Sequence, residues 1–135
     1  MREILFRGKR IDNGEWVYGY FVDGNERKTI QSSIFTYQTD TQNYIISDVV
    51  RKTIGQLTGL TDKNGTKIFE GDIVQYQIDM INLLTHEMYI DLATSKIEFY
   101  NGSFTIYENG YGNTLLSEKH KDIEVIGNIH ERGND

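Results

Sequence analysis

Gly55-Gln56-Leu57-Thr58-Gly59-Leu60-Thr61-Asp62-Lys63-Asn64-Gly65-Thr66-Lys67-Ile68-Phe69-Glu70-Gly71-Asp72-Ile73-Val74 packs more turn chemistry into twenty residues than any other part of the chain. It reads as a strand, a glycine-punctuated turn, a hairpin around Asn64-Gly65, and a second strand entered through Glu70-Gly71-Asp72. Asn and Gly tolerate positive φ at least cost, which is what a two-residue type I′ turn demands. Gly71 is expected to turn or bulge the chain before Ile73-Val74, with Asp72 holding the turn by accepting nearby backbone amides. The stretch instructs folding and shows no catalytic arrangement.

The same chemistry recurs outward from this centre. Thirteen glycines and no proline leave turns to Gly, Asn and Asp. Asn13-Gly14, Asn101-Gly102 and Asn109-Gly110 repeat the signal, and Asp23-Gly24 is of the same kind. Alternation predicts strands over Glu3–Arg7, Glu15–Val22, Lys28–Ser33, Tyr44–Ile46, Ile73–Ile78 and Ile123–Ile129, and a hairpin over Lys96–Tyr107. Phe35–Asn43 reads as loop. Ser47–Lys52, opened by a capping serine, and Leu115–His120 read as short helical turns. Over Asp79–Thr94 two readings stand: Met80, Leu83, Leu84 and Met88 have partial helical spacing, whereas Met88–Leu92 also reads as a strand. The fold class is mainly β, with antiparallel hairpins and few helical turns. The Gly71-Asp72 entry between short strands points to an SH3-like barrel in the C-terminal part. One domain over 1–135 is expected, with an N-terminal β lobe at 1–50 and the barrel at 54–130.

Composition narrows the function classes. A chain of 135 residues buries enough surface for a core without disulfides, and it has no cysteine to form any. No apolar run is long enough to span a membrane. Met1 to Arg7 lacks an apolar signal core, so export is not expected. Twenty acidic against fourteen basic side chains give a net charge of -6. Nucleic-acid binders usually carry the opposite excess, because phosphate neutralisation supplies most of their affinity. Arg7-Gly8-Lys9-Arg10 is the single basic cluster.

Catalytic and metal constellations fail on spacing. Gly59 to Gly65-Thr66-Lys67 has the wrong interval and order for a phosphate-cradling P-loop. His86-Glu87 opens like a zinc-protease helix, but the position of the second ligand is Ile90. His86, His120 and His130 are widely spaced and lack cysteine companions, so no metal or other cofactor is expected. No serine nucleophile elbow occurs. Glu70 and Asp72, two apart, fall on one side of an extended segment; they read as a polar turn rim with one capping carboxylate rather than as a general acid–base pair. Trp16, Tyr18, Tyr20 and Val22 share one strand face. They read as half of a small core, the alternative being a platform on which bases or peptides stack.

Met1-Arg2-Glu3-Ile4-Leu5-Phe6-Arg7-Gly8, Gly14-Glu15-Trp16-Val17-Tyr18-Gly19-Tyr20, the central stretch and the tail Ile123-Glu124-Val125-Ile126-Gly127-Asn128-Ile129-His130-Glu131 together resemble the YopX-like proteins of phages and prophages of Gram-positive bacteria. The central motif, from Thr58-Gly59-Leu60 through Asp62-Lys63-Asn64-Gly65 to Glu70-Gly71-Asp72-Ile73-Val74, is long and specific. The resemblance implies a largely β fold and the cytoplasm of a bacterial host. It brings no activity and no catalytic, cofactor or metal residues to transfer. The expected function is therefore that of a non-enzymatic phage accessory protein that binds another protein or a second copy of itself. A nucleic-acid-binding module using Trp16, Tyr18 and Tyr20 with Arg7, Lys9 and Arg10 is the alternative; a small enzyme centred on Glu70 and Asp72 is a third.

Overall fold

The structure, a computed structural model, describes residues 5–22, 32–108 and 112–131. The fold is mainly β, as the turn chemistry requires, and the chain forms two compact units, Met1–Gly59 and Leu60–Asp135.

In the first unit, β1 (Phe6–Lys9), β2 (Trp16–Val22), β3 (Ser32–Gln38), β4 (Asn43–Val49) and β5 (Gly55–Thr61) lie in the order β4-β3-β2-β1-β5. Every pairing is antiparallel. The inner face carries Ile34 and Val49, essentially sealed from solvent, and a Phe6–Phe21 ring contact at 5.8 Å. Burying Ile34 and Val49 contributes roughly 1.5–3 kcal/mol each. Glycine is obligatory at position 19, where a Cβ would lie 2.1 Å from the Phe35 carbonyl oxygen.

Two expectations need correction here. Phe35–Asn43 is not a loop: Tyr37 pairs with Tyr44 and Gln38 with Asn43, and the β3–β4 hairpin closes with Gln42 at φ 59°. Its uneven polarity misleads because this end of the hairpin is exposed on both faces. Ser47 caps no helix; it is a β4 residue opposite Ile34. The helical turn comes later, at Arg51–Thr53, and the Thr53 hydroxyl donates back to the Val50 carbonyl at 2.6 Å.

The second unit holds β6 (Lys67–Phe69), β7 (Asp72–Ile81), β8 (Met88–Lys96), β9 (Glu98–Tyr100), β10 (Ser103–Glu108), β11 (Gly112–Leu115), the single-turn helix α1 (Leu116–Lys119) and β12 (Glu124–Asn128). Two three-stranded sheets, β11-β10-β9 and β12-β7-β8, enclose a core of Ile68, Val74, Tyr76, Ile97, Ile106, Leu116 and Ile123. Neither sheet closes on itself among the described residues. The unit thus has short, hairpin-linked antiparallel strands, and the closed ring of the expected SH3-like barrel is not formed among the described residues. Asp79–Thr94 is a β-hairpin, in register from Ile73↔Lys96 to Ile81↔Met88. Its loop is held by Asn82, whose Oδ1 accepts the Leu84 and Thr85 amides.

Asn64-Gly65 and Asn101-Gly102 both sit at hairpin tips, joining β5 to β6 and β9 to β10. Asp23-Gly24 and Asn109-Gly110 lie outside the described residues, as does most of the strand expected over Lys28–Ser33.

Candidate functional site

The register of the first unit decides where its aromatic residues go. Directly opposed residues in antiparallel strands share a face. Tyr18 opposes Arg7 and Trp16 opposes Lys9; Tyr20 opposes Phe35; Phe35 opposes Ile46 and Tyr37 opposes Tyr44. One face therefore carries an aromatic run across β2, β3 and β4, with two cations at its β1 end. It is not the inside of the sheet. Tyr18 is 44% exposed, Tyr20 56%, Tyr37 48% and Tyr44 53%. The expectation that Trp16, Tyr18 and Tyr20 form half of a core is thus corrected for the two tyrosines. Period-two alternation finds the two faces but not which is inner, and here Phe6, Phe21, Ile34 and Val49 fill the other side. Within the exposed run Tyr37 and Tyr44 meet with ring centroids 5.2 Å apart. Phe35 and Tyr37 belong to the segment whose polarity hides its strand, whereas Tyr44 and Ile46 lie on the strand expected over Tyr44–Ile46.

Trp16 is half-buried. The Arg7 guanidinium lies 4.4 Å from its ring centroid and the Lys9 ammonium 5.4 Å, both within cation–π range. Arg10 leaves this group and forms a two-point ion pair with Asp12, at 2.9 and 2.7 Å. That hydrogen bond holds Arg10 above its ordinary pKa and Asp12 below its own. The basic run is thereby divided: Arg7 is buried on an indole with Lys9 beside it, and Arg10 is matched by a carboxylate.

The carboxylates of the central stretch are fastened to backbone. Asp72 is 2% exposed and accepts the Phe69 amide at 2.8 Å, the capping role its position suggests. Asp62, not singled out by the sequence, holds more. Its Oδ1 accepts the Asn64 and Thr66 amides, both at 2.9 Å, and its Oδ2 accepts the Val125 amide at 2.8 Å. Burial works to raise its pKa, but the Val125, Thr66 and Asn64 amides, with Lys63 nearby, outweigh it and hold the group below its ordinary value. The signal for this residue was the Asp-x-Asn-Gly spacing, in which an Asx turn precedes the glycine.

The three histidines are not brought together into a metal site, and no cluster of three metal-ligating side chains occurs among the described residues. His120 Nδ1 sits 2.6 Å from the Thr61 carbonyl oxygen, and His86 occupies the β7–β8 loop at φ 63°. Sequence reasoning missed a cleft of about 500 Å³ in the second unit, where Lys63, Lys119 and Lys121 meet Glu108 and Asp122 over Tyr76. Its lining comes from segments far apart in sequence, and its opposite charges neighbour one another: Lys119 Nζ is 3.7 Å from Glu108 Oε1. No helix among the described residues is long and apolar enough to cross a membrane.

Among curated proteins none matches the chain. The crystal structure of protein EF1440 from Enterococcus faecalis is similar with a TM-score of 0.56 over 97% of this chain and 96% of that one. At 23% identity this likeness speaks for the fold alone. The profile of the YopX protein family matches residues 5–134, and the chain therefore belongs to the YopX family.

Proposed function

We propose that this YopX-family chain is a phage-type, cytoplasmic accessory protein that acts without catalysis, binding another protein through the aromatic face of its first unit. The observation that carries the reading is the exposure of Tyr18, Tyr20, Tyr37 and Tyr44 on one continuous sheet surface. Tyrosine supplies large contact area with little conformational entropy to lose, and aromatic residues mark the energetic centres of protein interfaces. Few charges interrupt the surface, which suits a protein partner better than a phosphate backbone.

One observation favours a second reading, in which the partner is nucleic acid: the cations stacked on Trp16 resemble the mixed stacking and electrostatic grip of single-strand binders. Two measurements separate the readings. Tagged protein and a Tyr20→Ala/Tyr37→Ala variant are used to capture partners from host lysate; a protein retained by the first and lost from the second is expected. Fluorescence anisotropy with single-stranded DNA and RNA is expected to show at most weak binding at physiological salt. Submicromolar binding that falls with salt and is abolished by Lys9→Glu would replace the first reading with the second. A full set of partners retained by the double variant would remove this face from both.

A further inference from the structure

The β7–β8 hairpin changes character along its length. Near the body of the second unit its outward face is polar, with Gln75, Gln77 and Thr94, as a solvent-facing sheet should be. Toward the tip the same face carries Ile81, Met88, Ile90 and Leu92, which are 47%, 69%, 62% and 55% exposed, with Asp79 the one acid among them. The tip adds Leu83 and Leu84 at 83% and 92% exposed. Contiguous exposed apolar surface of this kind marks an interaction site.

The hairpin also ends in an open edge, because β8 is the last strand of the order β12-β7-β8. The Asn82 amide donates to Glu87 and the Ile97 amide to Asp72, so odd-numbered residues of β8 bond inward. Met88, Ile90 and Leu92 turn their N–H and C=O groups outward. The outward Leu92 amide meets the carboxylate of its own neighbour Asp91, at 2.8 Å. Exposed edges are ordinarily guarded by a lysine, a proline or a bulge. From Met88 to Ser95 there is no lysine, proline or bulge, Asp91 is the one charged side chain, and the register with β7 is uninterrupted.

We propose that this arm pairs with the same arm of a second copy of the chain, β8 against β8, antiparallel across a two-fold axis at Ile90. The sequence Met88-Tyr89-Ile90-Asp91-Leu92 is complementary to itself in that register. Ile90 stands opposite its own copy with outward N–H and C=O groups to exchange, and Met88 stands opposite Leu92 of the partner subunit. On the other face Asp91 stands opposite Tyr89 of the partner subunit, so each carboxylate meets a phenol donor instead of another carboxylate. An isologous contact needs this kind of self-matching. The pairing uses a different unit from the aromatic face and stands whether or not that face binds protein.

The test is made on the full chain. Sedimentation equilibrium is expected to give twice the chain mass of 15.6 kDa, and Ile90→Lys, which sets two ammonium groups across the axis, is expected to halve it with the circular dichroism spectrum unchanged. The absence of native cysteine makes the register directly readable. Opposed Cα atoms in a hydrogen-bonded pair lie about 5.5 Å apart, within disulfide reach. Ile90→Cys is therefore expected to give a covalent dimer on mild oxidation, whereas Gln77→Cys, on the same face but on the inner strand β7, is not. A wild-type monomer, a dimer that survives Ile90→Lys, or equal cross-linking at both positions would overturn the proposal.

Discussion

Asn101-Gly102 and Asn64-Gly65 are the same dipeptide at two hairpin tips, yet they make different turns. Asn101 and Gly102 both have positive φ, 53° and 83°, and join β9 to β10 as a two-residue type I′ turn. In the other hairpin only Gly65, at φ 84°, is left-handed. There the Gly65 amide closes on the Asp62 carbonyl, and the Asp62 amide donates to Thr66. The Asp62 carboxylate gathers the Asn64 and Thr66 amides from within. A dipeptide selects the turn when two residues are all the loop contains. With a longer loop, a buried acceptor upstream takes control, and asparagine is relieved of the strained conformation.

This contrast is broken most severely by removing the acceptor. Asp62→Ala strands three amides and is expected to cost about 3 kcal/mol in denaturant unfolding, with no comparable residue to remove at the other tip. Because the folded pKa of Asp62 lies below its ordinary value, the carboxylate's contribution is complete above the unfolded pKa of about 3.9 and is lost as pH falls through the folded one. The stability gap between wild type and Asp62→Asn is therefore expected to narrow in acid titrations below about pH 4; a gap independent of pH would show that charge plays no part. Gly65→Val meets no neighbour within 4 Å, so its cost, about 1–2 kcal/mol, is purely that of a β-branched residue at positive φ. Asn101→Ala is expected to cost about 1 kcal/mol for a left-handed alanine. Asn64→Ala, which gives up a surface contact to Glu124 at 3.3 Å, is expected to stay within about 0.5 kcal/mol. If Asn64→Ala proved the costlier of the two asparagine changes, the distinction between the turns would fail.

Much of the second unit was legible because burial follows pattern there. The Lys96–Tyr107 hairpin, the turn at Leu115–His120 and the last strand are where alternation and turn residues place them, and Asp72 caps as its position suggests. The β7–β8 arm was legible in part. The strand over Ile73–Ile78 is where alternation places it, and Met88–Leu92 is a strand, as one of its two readings had it, but the helical alternative was not excluded. Met80, Leu83, Leu84 and Met88 approximate a helix by spacing alone: all four are exposed within the chain, so the pattern reports no face buried against its own core. The aromatic run was half legible: its periodicity is plain in Trp16, Tyr18 and Tyr20, but inside and outside exchange without altering the period. Its β4 part falls on the strand expected over Tyr44–Ile46, whereas its β3 part is built by a backbone ladder indifferent to the polar side chains around Phe35 and Tyr37. Asp62 escaped notice because one of its three donors, Val125, belongs to the last strand.

That last bond spans 63 residues, and it orders events during synthesis. The Asn64 and Thr66 amides are available as soon as the turn has left the ribosome, so its local half can form at once. The Val125 amide arrives only 63 residues after Asp62, and with it the strand that flanks β7. Contacts of such separation are formed late because loop closure must come first. Until then the turn carries an acceptor waiting for its donor, and a nascent chain that stalls before residue 125 lacks the strand needed to finish the unit to which the hairpin belongs.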